Sequence, residues 1–257
     1  ASGNKNIHQE VQIGVYGTDG PNSGGEPGSY LLEEYGEINK GVVFEKYSLE
    51  AEYENYDLEV IARDINKNTR GFEMEGGQVG KMSWGMNYSE MPHLYTREGQ
   101  TFYNDIGNGV LRISSATRAG IEEGNSGTNL RDYNRQNLTD AVGALPYIDV
   151  GVIMKNIGTE LKFRPVGDFT VELDAMHMSK RGTRPQAAAF GFSNAIELAA
   201  PVDEQSVEAG LALELTKKAY QLAFHYHMSD YSNNVPTLTW DNPKKSKGIY
   251  TGTHYSR

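Results

Sequence analysis

The sequence predicts an all-β fold: an antiparallel transmembrane β-barrel of the large outer-membrane type, with these 257 residues supplying roughly nine or ten strands. Three observations carry that prediction. Apolar and polar residues alternate with a period of two over many segments. Tight turns and long loops alternate between the segments. The polar sides are rich in carboxylates, which a dry core accepts only at several kcal/mol each when unpartnered.

The elements follow in order, as nine strands. The first, about 8–17, carries Val11, Ile13 and Val15. In the second, 38–53, Tyr47, Leu49, Ala51 and Tyr53 alternate with Ser48, Glu50 and Glu52. Weaker alternation marks the third (57–65) and fourth (69–76). The fifth, 79–89, sets Met82, Trp84, Met86 and Tyr88 on one side, and the sixth spans 147–164. In the seventh, 168–180, Phe169, Val171, Leu173 and Ala175 face away from Thr170, Glu172 and Asp174. The eighth, 206–216, has helix-forming composition, but a helix would scatter Leu211, Leu213 and Leu215 around its circumference. In the ninth, 219–230, Leu222, Phe224, Tyr226 and Met228 oppose His225 and His227.

Tight connections are expected at Asn55-Tyr56, Gly76-Gly77-Gln78, Pro165-Val166-Gly167 and Lys217-Lys218; long loops at 18–37, 90–146, 181–205 and 231–257, with a shorter one near 66–68. Short turns on one rim and long loops on the other is the outer-membrane barrel pattern, provided 90–146 is a single excursion. A bilayer offers backbone groups no water, so a spanning sheet must close and pair every edge. Its lipid side must be apolar, whereas a wide lumen can be polar. Tyr53, Tyr88, Phe169 and Tyr220 near strand ends suit interfacial girdles. Bacterial barrels have even strand numbers, so nine readable strands leave open a ten-stranded barrel completed by a short strand near Gly248 to Tyr255; part of a larger barrel is favoured, because the final segment has no terminal aromatic strand ending. Periodicity alone leaves a soluble β-sandwich or β-solenoid open, with the acidic side in water.

Composition narrows the function. Cysteine is absent, which excludes thiolate chemistry and covalent haem c through C-x-x-C-H. A net charge of −10 disfavours nucleic acid. No stretch reaches the roughly 20 apolar residues of a spanning helix. Ala1 fits a start left after signal-peptide removal.

Several segments, in this order, resemble the decahaem-associated outer-membrane porin family, the MtrB/PioB type. They are Glu34-Tyr35-Gly36; Met91-Pro92-His93-Leu94-Tyr95 with Thr101-Phe102-Tyr103; Gly182-Thr183-Arg184-Pro185; Ala188-Ala189-Phe190-Gly191 with Asn194-Ala195; and Leu238-Thr239-Trp240-Asp241-Asn242-Pro243. The likeness runs from about residue 8 to 243 and corresponds to the N-terminal part of the family's barrel. It implies a barrel of more than twenty strands in the bacterial outer membrane, surrounding a periplasmic multihaem c-type cytochrome and docking a second one outside, for extracellular electron transfer. Some members carry Cys-x-x-Cys near the N-terminus; this chain does not. The haem c would belong to the partner cytochromes, with no cofactor on this chain. Glu50, Glu52, Glu172, Asp174, His225 and His227 are the candidates for lumenal partner contact. Loops 18–37, 181–205 and 231–257 are candidates for the outer cytochrome. A general diffusion porin or oligosaccharide channel is the alternative.

Other residues invite sharper readings. His225 and His227 form an H-x-H pair able to bind metal, but strand alternation alone places both on the polar side and no further ligand stands out. Glu33-Glu34 and Glu122-Glu123 lack the nucleophile and base that hydrolysis needs, so no enzyme is expected. Asp140 to Asp149 lacks calcium-loop spacing. Gly76-Gly77-Gln78-Val79-Gly80 reads as a turn rather than a phosphate cradle, having no Lys-Ser/Thr and no helix after it. Lys244-Lys245-Ser246-Lys247 reads as a solvated loop, or as a patch for an anionic surface.

Overall fold

The computed structural model describes residues 5–17, 34–36, 41–118, 140–189, 195–241 and 255–256. Most of loop 18–37, Glu33, Glu122-Glu123, Asn194, Asn242, Pro243 and Lys244-Lys245-Ser246-Lys247 lie outside the described residues.

All nine expected strands are present, within thirteen among the described residues: β1 (Lys5–Tyr16), β2 (Gly41–Tyr53), β3 (Tyr56–Arg63), β4 (Gly71–Gln78), β5 (Met82–Gly99), β6 (Tyr103–Asp105), β7 (Val110–Ile113), β8 (Ile148–Val166), β9 (Phe169–Ala189), β10 (Ala195–Thr216), β11 (Gln221–Asn233), β12 (Thr237–Trp240) and β13 (Tyr255–Ser256). Nine form one antiparallel sheet in the order β1-β2-β3-β4-β5-β8-β9-β10-β11, a meander in which β1 and β11 are the edges. The other four form a second sheet, β13-β12-β7-β6, where β12 runs parallel to β7.

The chain divides into two compact units. Unit 1 comprises residues 1–93, 153–180 and 204–232. Its ladder puts apolar residues opposite apolar ones: Tyr47 faces Ala62, Ala62 faces Phe72 and Phe72 faces Tyr88, while Val60 faces Met74 and Met74 faces Met86. These rows are half-buried to exposed, with Met86 at 44%, and other apolar residues of the sheet are more open, such as Phe224 at 55%. A contiguous exposed apolar face marks an interaction surface, here one fit for acyl chains.

A β-bulge keeps that face continuous. Gln12 pairs with Lys46 but Ile13 pairs with Phe44, so Glu45 is the extra residue in β2. The bulge inverts parity. Val42 and Phe44 therefore join the apolar row of Val15 and Ile13, and Val43 turns to the other side, where it is wholly buried.

The turns expected at Asn55-Tyr56 and Pro165-Val166-Gly167 shift slightly, since Tyr56 opens β3 and Val166 ends β8, and four connections differ more. Gly76 and Gly77 belong to β4, and the turn to β5 falls on 79–81, closed by Lys81 N–H to the Gln78 carbonyl at 2.9 Å. These glycines serve close approach instead, since a Cβ on Gly76 would lie 3.0 Å from the Trp84 ring. The predicted loop 181–205 is mostly strand: β9 runs to Ala189 and β10 begins at Ala195. Residues 90–99 extend β5, and 231–233 extend β11. The remaining parts of 90–146 and 231–257 are not wholly loop, because they supply β6, β7, β12 and β13.

Unit 2 comprises residues 94–152, 181–203 and 233–257. It has a core of its own, built from Phe102, Tyr103, Leu111, Ile113, Leu198 and Trp240. Short helical turns at 115–118 and 140–143 belong to it, and Val142 and Leu145 pack against the core.

Candidate functional site

The polar face of unit 1 is built by register. The turn at Glu54-Asn55, where Glu54 adopts φ +56°, sets Glu50 opposite Glu59 and Glu52 opposite Asp57. The next hairpin sets Glu59 opposite Glu75, and Glu75 faces Gly85. A Cβ on Gly85 would lie 3.0 Å from Cγ and Oε1 of Glu160, so the β8 carboxylate crosses β5 over the glycine. Carboxylates of four strands thus share one level. Like charges directly opposite each other destabilise a sheet.

The face's cations are engaged beside that row. Lys46 Nζ lies 3.2 Å from Glu10, Arg63 donates to Glu73 at 2.6 Å, and Lys162 pairs with Glu172. Asp174 covers Gly210 on β10, and His227 stands 3.9 Å from Glu208. All six residues expected to face a partner are therefore in unit 1. Glu50 and Glu52 lie on the acidic side by ladder register, and Glu172, Asp174 and His227 lie there through their cross-strand neighbours. His225 shares the His227 side by strand alternation. No group of three His, Asp or Glu able to hold a metal exists among the described residues. A groove of about 630 Å³ opens on this face, lined by Arg63, Glu73, Glu75, Gly85, Asn87 and Glu160 among others.

The loop motifs turn out to be fastening points. Glu34 and Tyr35 meet His93 from 59 positions away: the carboxylate is 3.1 Å from Nε2, and the rings stack at 4.7 Å. Pro92 is buried in β5 just past the end of the β4 ladder at Gly71–Ser89. The Glu90 N–H already bonds the Arg70 carbonyl, just before β4, at 3.0 Å, so the missing Pro92 N–H costs no bond of the β4 ladder. Gly182, Thr183, Arg184 and Pro185 lie within β9, not in a loop. Gly182 has φ +140° and sits against the Gly151 carbonyl, where any Cβ would collide. Tyr95 and Pro185 line one pocket of about 390 Å³ in unit 2.

Trp240 is 2% exposed and closes the unit 2 core. Beside it, Asp241 Oδ1 accepts from Arg112 at 2.6 Å, and Oδ2 accepts from Ile113 N–H at 3.0 Å and Arg118 at 3.4 Å. The Tyr103 hydroxyl donates to the Asp241 carbonyl at 2.8 Å. Burial pushes the Tyr103 phenol far above its ordinary range, and the Asp241 charge adds to the shift. Residue-by-residue reading missed Asp241 as a hub, and missed Glu59, Glu75 and Glu160. Glu59 was within reach once the β2–β3 turn fixes which residue faces Glu50, whereas Glu75 needs the β3–β4 register and Glu160 the pairing of β8 beside β5.

The family model for the outer membrane beta-barrel porins MtrB/PioB matches residues 31–254. No relative among the curated proteins matches. The match covers eight of the nine strands of the large sheet, β2 to β5 and β8 to β11, together with the Trp240-Asp241 motif, and the chain belongs to the MtrB/PioB family of outer-membrane β-barrel porins.

Proposed function

We propose that this chain forms a sheath in the outer membrane that houses a periplasmic multihaem c-type cytochrome and docks an outer one, so that electrons cross the membrane along haem groups carried by the partners. What carries the reading is the continuity of the acidic face over a sheet whose edges, β1 and β11, are not paired to each other. A ring that includes these nine strands and further edge partners exceeds the eight-strand size whose interior side chains alone can fill. Such an interior takes water or protein. The exposed apolar face suits lipid, and its insulating layer would keep partner haem from the bilayer. With no cysteine, this chain leaves covalent haem attachment to its partners. Glu50, Glu52, Glu172, Asp174, His225 and His227 would line the interior, and the long-loop rim would meet the outer cytochrome.

The experiment is extraction of outer membranes in mild detergent, affinity purification of this protein, and haem staining of what accompanies it. Haem-positive partners are expected in stoichiometric amount; their absence rejects the sheath. A diffusion porin is the second reading, supported by the same wet face. Planar-bilayer recording separates the two. An occupied sheath conducts ions poorly, whereas an open channel gives large steady conductance steps.

A further inference from the structure

We infer that the acidic face is a docking surface for a protein that presents lysine and arginine, and that the groove lined by Glu73, Glu75 and Glu160 receives one of those side chains. The inference rests on the sheath reading and specifies the surface of the housed partner. Glu50, Glu59 and Glu75 oppose one another in successive ladders, and Glu160 reaches the same level across Gly85. Among the described residues, none of the four has an ion pair or a side-chain hydrogen bond. Of the nearby cations, Lys46, Arg63 and Lys162 are matched to Glu10, Glu73 and Glu172, and the others, His8 opposite Glu50 and Arg164 further along β8, are fewer than the four carboxylates. The face therefore carries uncompensated negative charge at one level, within a chain of net charge −10.

Charge complementarity commits the occupant. An anionic or apolar partner would deepen the repulsion or strand the carboxylates away from water, while a cationic one relieves both. The shape agrees. The Glu160 side chain lies over Gly85, and a groove of about 630 Å³ opens beside it, with Glu73, Glu75 and Glu160 among its lining. A lysine or arginine has a slender apolar stem and a charged tip, the form such a slot admits.

The test uses the purified full protein in detergent and the variant Glu59→Gln/Glu75→Gln/Glu160→Gln. A control neutralises three acids of unit 2, Glu98→Gln/Asp105→Asn/Glu197→Gln, and so changes net charge equally. Heat-modifiable migration on gels verifies that each variant folds as a barrel. Partner-stripped protein is titrated with a poly-L-lysine of about 20 residues in 50 mM salt. The face variant should bind about tenfold more weakly than wild type, and the control within about twofold of it. Equal binding by wild type and face variant overturns the inference, whatever haem staining gives. In parallel, haem protein retained by wild type should be released at 500 mM salt, and the face variant should release it at lower salt. Retention unaffected by salt and by the variant also overturns the inference while leaving the sheath intact. Weakened polylysine binding with no haem partner in wild type upholds the cationic fit and rejects the sheath.

Discussion

Asp241 carries more of unit 2 than its size suggests. Its side chain is only 10% exposed, and it terminates two arginines and a backbone amide. Removing the carboxylate strips the buried Ile113 N–H of its acceptor, which costs about 1–3 kcal/mol, and takes an ion pair from the half-buried Arg112. Asp241→Ala should therefore open unit 2 at a denaturant concentration well below that which unfolds wild type. The emission of Trp240, read in a Trp84→Phe background, reports the opening; an unchanged midpoint would contradict the hub role. Tyr103 adds a pH dependence. Its folded pKa is raised because burial opposes the phenolate. A raised folded pKa means that the folded state holds the proton more tightly. This contribution to stability is thus complete below the unfolded value of about 10 and declines as pH rises beyond it. Thermal melts from pH 8 to 11 should show unit 2 weakening in wild type, and weakening less in Tyr103→Phe.

At the scale of the element, the facing of each strand decides whether the sheet suits a membrane. In β10, Glu208, Gly210 and Glu214 alternate with Leu211, Leu213 and Leu215, and Glu208 meets His227 on the polar side. Arginine on the lipid side costs about 2–4 kcal/mol at the midplane and about 0–1 kcal/mol near an interface, while lumenal substitutions tune the interior. Leu213→Arg should accordingly reduce the heat-modifiable, membrane-inserted fraction, and Glu214→Arg should leave it near wild type. Equal tolerance would contradict the facing. Alternation made this facing legible, because a strand's period survives without knowledge of its neighbours. The β2 bulge was not legible: one extra residue at Glu45 reverses parity, and it is revealed only by pairing with β1. Strands β6 and β7 are three and four residues long, too short for a period to register, and they were read as part of a loop.

At the scale of the molecule, the sequence reveals hairpin order and face chemistry but not distant contacts. Arg112 meets Asp241 across 129 positions, and His93 meets Glu34 across 59, with no local pattern to announce either. Closure is likewise a property of the whole. The nine-strand sheet has β1 and β11 at its edges, and β11 is exposed along nearly its full length. Each edge offers a row of backbone donors and acceptors, and hydrocarbon satisfies none of them, at several kcal/mol per group. In an outer-membrane porin, both edges must therefore be paired with strands. Hydrogen exchange on the protein in lipid vesicles tests this directly. Amides of β1 and β11 should be as protected as those of the central strands β3 and β4, since a paired edge exchanges only when the wall opens. Exchange of β1 and β11 within seconds, beside protected β3 and β4, would mean an open sheet. An open sheet could not remain in the hydrocarbon layer, and the acidic face would then meet bulk solvent rather than an enclosed interior.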